Sequence, residues 1–105
     1  MKNYKIEIVS FVASNDLIEY IQERITWMLE NSPYDSFITL RLEKMNGGYI
    51  GDVQINAHTI KFHSHQKSDS TAHVLLLLTT DIESKLNKWK HLRFTNINTN
   101  KTLDG

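Results

Sequence analysis

The chain has 105 residues, with 12 Lys and Arg balancing 12 Asp and Glu, 40% apolar residues and no cysteine. That length fits one small domain, and the zero net charge withholds the global basic signal of a nucleic-acid or membrane binder. Without cysteine, disulfides and thiolate metal sites are excluded and a reducing compartment is the natural setting.

The pattern opens on a strand. Tyr4, Ile6 and Ile8 alternate with Lys5 and Glu7, and successive strand side chains point to opposite faces, so one face is apolar and the other wet. This opening also lacks the apolar stretch of a signal peptide. Ser14 is a suitable cap for a helix over Asp16 to Glu30. Leu17, Ile21, Ile25 and Met28 recur there at helical spacing, while Asp16, Glu19, Glu23 and Glu30 line the other side against Arg24 alone. Pro33 stops the helix, because it lacks an amide donor.

Three alternating strands follow. Phe37 to Lys44 turns Ile38, Leu40 and Leu42 inward and Thr39, Arg41 and Glu43 outward. Asn46-Gly47-Gly48 is a turn, since these residues accept positive φ. Tyr49 to Asn56 turns Val53 and Ile55 inward. A second turn near Asn56-Ala57-His58 leads into Thr59 to His65, where Ile60 and Phe62 face inward and Lys61, His63 and His65 outward. A longer helix over Thr71 to Lys90 then presents Leu75, Leu78, Ile82, Leu86 and Trp89 as one stripe, with Leu76 and Leu77 widening it. The longest apolar run, Val74 to Leu78, is far too short to span a bilayer. Beyond Phe94 the sequence is polar and patternless. The expected organisation is therefore a single domain over residues 1–95 and a loose tail over 96–105.

Two helices with one apolar stripe each, and four strands with one apolar face each, predict an α+β two-layer sandwich in the order β-α-β-β-β-α. Both helices lie on one face of a mixed sheet, and the other face is open. The helical crossover makes the first two strands parallel neighbours, and the last three form an antiparallel meander.

No catalytic motif is visible, and an enzyme is not expected. His63 and His65 project to one face, but zinc requires three or four ligands and Lys61 shares that face. Glu7, Glu43 and Asp52 are interleaved with Lys5, Arg41 and Lys61, which cross-strand ion pairing explains without chemistry. Gly47-Gly48 is a turn and not a phosphate loop, because no helix follows it. No metal, cofactor or small-molecule substrate is expected. The end of the second helix collects Lys85, Lys88, Lys90, His91 and Arg93, a positive cap on one end of the molecule that charge alone reads first as an ordinary solvated helix end and second as a phosphate-contacting surface.

Several segments resemble the short form of the ribosome hibernation-promoting factor, ribosome-associated inhibitor or sigma-54 modulation family. They are Phe37-Ile-Thr-Leu-Arg-Leu-Glu-Lys44, Val53-Gln-Ile-Asn-Ala-His-Thr-Ile60 and Leu86-Asn-Lys-Trp-Lys90, and the likeness runs from about Lys5 to Arg93. The resemblance implies a cytoplasmic protein that needs no cofactor. It implies binding to the small ribosomal subunit and its rRNA, in the channel used by mRNA and tRNA, and inhibition of translation under stress. Carried across, it assigns phosphate contacts to Arg24, Arg41, Lys44, Lys88 and Lys90; Lys85 and Arg93 join them on charge alone. The acidic first helix and Ser70-Thr-Ala-His-Val-Leu-Leu76 depart from the family's pattern. The acidic first helix and the zero net charge favour an alternative, a protein-interaction module that has lost RNA, self-associating as a weak homodimer through the open sheet or a strand edge. A double-stranded RNA binder also contains an α-β-β-β-α order, but Ser68-Asp-Ser-Thr71 lacks the basic cluster that would open its last helix.

Overall fold

The computed structural model describes residues 3–104, with side chains described over 3–92. The elements are β1 (Asn3–Val9), α1 (Asn15–Asn31), β2 (Phe37–Met45), β3 (Gly48–Asn56), β4 (Lys61–Ser68) and α2 (Thr71–Asp104). This is the expected α+β order, and the four-stranded sheet runs β1-β2-β3-β4. β1 pairs parallel with β2, from Asn3 opposite Phe37 to Val9 opposite Glu43. The β2–β3 and β3–β4 pairs are antiparallel.

Local chemistry sets the boundaries. Ser10 takes φ 69°, a left-handed conformation that ends β1. Ser14 caps α1 by accepting a hydrogen bond from the Leu17 amide at 3.1 Å. Gly47 takes φ 80° in the β2–β3 turn, where its missing Cβ removes the steric cost. β4 starts later than the alternation suggests, because the Ala57 amide bonds the Ile60 carbonyl at 2.9 Å and draws Thr59 and Ile60 into the turn. It also ends later, at Ser68 opposite Tyr49. α2 runs past the expected end at Lys90, and the chain has neither Pro nor Gly between Thr71 and Asp104 to stop it. The expected tail over 96–105 falls on positions whose side chains lie outside the described residues.

One apolar layer joins sheet and helices. Ile21, Ile25 and Met28 of α1 meet Ile38, Leu40, Leu42, Val53, Ile55 and Phe62 of the sheet and Val74, Leu75, Leu78, Ile82 and Leu86 of α2, all of them buried. Burying a large aliphatic side chain contributes about 1.5–3 kcal/mol, so this layer dominates stability. Leu76, expected to widen the buried stripe, is 53% exposed. At 100° per residue it stands well off the line through Leu75, Leu78 and Ile82. Gly51 lets α2 come close to β3. A Cβ there would lie 2.4 Å from Val74 Cγ1 and 2.7 Å from Leu78 Cδ1.

Candidate nucleic-acid interface

The sheet register divides the sandwich into two ends. At one, the β2–β3 turn adjoins the end of β4 and the start of α2, because Met45 faces Gly48 and Tyr49 faces Ser68. At the other, the β3–β4 turn adjoins the end of α1 and the part of α2 from Lys85 onward. Two contacts fix α2 at this second end. Phe62 of β4 and Trp89 of α2 meet edge to face with ring centroids 6.0 Å apart. Lys90 Nζ donates to Asn31 Oδ1 of α1 at 2.8 Å.

The seven expected contact residues are not gathered in one place. Arg24 lies half-buried on α1 with its guanidinium 5.4 Å from the Tyr20 ring centroid. Its Nε is buried with no hydrogen-bond partner among the described residues. Arg41 stands on the open sheet face, paired with Glu43 at 3.3 Å. Lys44 is exposed at the β2–β3 end, the far end from Lys88 and Lys90. Lys85 is ion-paired with Asp81 at 3.1 Å and also donates to the His63 carbonyl. Lys88 is exposed and carries no ion pair among the described residues. Lys90 donates to the neutral Asn31 and has no ion pair among the described residues. The Arg93 side chain lies outside the described residues.

Asp81 organises the flank of α2 beside β4. Its carboxyl is held below the ordinary carboxylate range, first by a hydrogen bond from the buried Ser64 hydroxyl and then by Lys85, against the opposing effect of partial burial. Asp81, Lys85 and Lys88 recur at i, i+4 and i+7, one stripe of a helix. The Lys85 bond to the His63 carbonyl shows that this stripe borders β4.

The outward side chains of β4 are Lys61, His63, His65 and Lys67, all basic types. With Lys85 and Lys88 on the bordering helix, β4 is flanked by basic residues on both faces. The register places one acid inside this strip. Asp52 of β3 faces His65 directly, and its Oδ1 lies 2.5 Å from His63 Nε2 and 3.5 Å from His65 Nδ1. The other open-face acids pair along their own strands, Glu7 with Lys5 at 3.6 Å and Glu43 with Arg41. Among the described residues the expected cross-strand pairing is confined to Asp52. Among the described residues no group of three His, Cys, Asp or Glu is placed to hold a metal ion. No helix among them is long and apolar enough to cross a membrane.

Lys61 and Lys67 were not among the expected contacts, though strand parity alone puts both on the face shared by His63 and His65. The bracing of Lys85 by His63 had no such signal, because it depends on how α2 lies across β4.

No protein-family model and no curated protein matches this chain. Solved structures do. The Thermus thermophilus Protein Y N-terminal domain matches with TM-score 0.71 and 9% identity, over 85% of this chain and 99% of its own. A ribosomal subunit interface protein from Coxiella burnetii matches with TM-score 0.71 and 16% identity, over 85% of this chain and 98% of its own. At these identities the likeness establishes a shared fold.

Proposed function

We propose that this protein is a non-enzymatic, cytoplasmic ribosome-binding factor of the hibernation type. In this reading it contacts rRNA of the small subunit, occupies the channel used by mRNA and tRNA, and inhibits translation under stress. The observation that carries the reading is the fold shared, over 85% of the chain, with a ribosomal subunit interface protein. The basic β4 edge supports it physically. Lys61, Lys67, Lys85 and Lys88 stand along one strand and the helix beside it, although the net charge of the whole chain is zero. Phosphate contact by such groups releases counterions, so affinity falls steeply with salt. Lys90, Lys44, Arg24 and Arg41 are secondary contacts, ranked below the strip because they lie apart from it, and Arg93 joins them on charge alone.

Pelleting with ribosomes across a salt series tests this. Four phosphate contacts predict a loss of roughly a hundredfold in affinity for a fourfold rise in salt. The pair Lys61→Glu and Lys88→Glu should abolish pelleting at salt where the parent chain still binds, while Lys44→Glu should weaken it less. Absence of pelleting at low salt rejects the reading. The specific observation favouring a protein-interaction module instead is the exposed acidic face of α1, with Asp16, Glu19, Glu23 and Glu30. Capture of a basic protein with no RNA dependence would select it.

A further inference from the structure

The sheet has two edges, and they are finished differently. At β4, the Lys85 ammonium already caps the His63 carbonyl, and every outward side chain from Lys61 to Lys67 is basic. At β1, the only ladder partner among the described residues is β2. β1 carries no proline or bulge, two of the devices that blunt an edge, and its one lysine, Lys5, sits beside Glu7.

We infer that β1 is a docking edge for a second copy of this chain, joined antiparallel about a two-fold axis through Ile6 to make one continuous eight-stranded sheet. The sequence of β1 is self-complementary in that register. Residue numbers opposite each other sum to twelve, so Lys5 of one copy faces Glu7 of the other, twice over, on the open face. Tyr4 faces Ile8 and Ile6 faces Ile6 on the helix-bearing face. Opposite charges directly across a ladder are stabilising and like charges destabilising. The same operation at β4 sets Lys61, His63, His65 and Lys67 against one another, so no register that matches the faces gives that edge an opposite-charge pair.

Apolar surface awaits cover at the same place. Ile6 and Ile8 are only half-buried, and Tyr4 is 46% exposed. Backbone pairing along an edge supplies affinity, and alternate side chains supply specificity. The ladder spans about 23 Å for seven residues, and a contact of that size gives a concentration-dependent dimer and not a permanent one. The inference does not depend on ribosome binding, since the basic strip lies on the opposite edge.

Sedimentation equilibrium from micromolar to millimolar protein should show reversible dimerisation. Lys5→Glu and Glu7→Lys should each weaken it by roughly tenfold, and the double exchange should restore it. Both side chains are solvent-exposed, and thermal melts will confirm that the monomer fold survives. The chain has no cysteine, so Ile6→Cys offers a single thiol at the dyad. Ladder spacing brings its two copies within disulfide reach, and oxidation should yield a covalent dimer. A strict monomer at millimolar concentration overturns the inference, as does a dimer indifferent to the charge exchange or one that Ile6→Cys fails to cross-link.

Discussion

The β1 and β4 edges belong to one sheet, yet they are built for different neighbours. No β1 residue is fully buried, whereas β4 buries Phe62 and Ser64 beneath α2. β1 displays one positive and one negative group; β4 displays basic groups only, and its bordering helix adds more. The inward side chains of both strands pack toward the helices, Ile6 and Ile8 partly and Phe62 almost fully buried. Their outward faces are free to differ, and that freedom is where a shared architecture acquires distinct partners.

The comparison breaks most severely if α2 is loosened from β4. Ile82→Ala should cost about 2–5 kcal/mol in denaturant unfolding, since it empties a fully buried site. Leu76→Ala, on the exposed side of the same helix, should cost less than about 0.5 kcal/mol. Equal effects would mean that Leu76 and Ile82 are equally buried. A smaller loss of about 1–3 kcal/mol is expected for Gly51→Ala, because the new methyl must push Val74 and Leu78 aside. It should also weaken ribosome pelleting, by shifting Lys85 and Lys88 relative to Lys61, while leaving β1 untouched.

The smallest effect is on pH dependence. The folded-state pKa of Asp81 is lowered from 3.8, so the unfolded chain binds its proton more readily. The stabilisation is therefore present above pH 3.8 and is lost as the pH falls through the lower folded value. Ser64→Ala removes the main cause of the lowering, and NMR titration of the Asp81 carboxyl should then move up toward the ordinary range. An unchanged titration would show that Ser64 does not hold Asp81.

Period-two alternation specified the inward residues of β2 and β3 without error, because each strand has one dry face and one wet face. The same alternation carried the sheet order, since a parallel β1–β2 pair needs the crossover that α1 supplies. What the local pattern leaves open shares a cause. Leu76 is apolar but off the stripe. Lys85 is basic but already engaged by Asp81 and a backbone carbonyl. Lys44 is near Arg41 in sequence but at the opposite end of the sandwich from Lys88. Each depends on how elements lie across one another, which no local pattern encodes. Conversely, the basic strip on β4 is legible in the spacing of Lys61, His63, His65 and Lys67, because strand parity alone puts all four on one face.

The sidedness of the strands has one more consequence. Sliding any central strand by one position would drive Arg41 or Asp52 under the helices and lift Leu40 or Val53 into water. Slippage is thus self-penalising, and the ladder stays in phase without a covalent staple in a chain that has no thiol to make one.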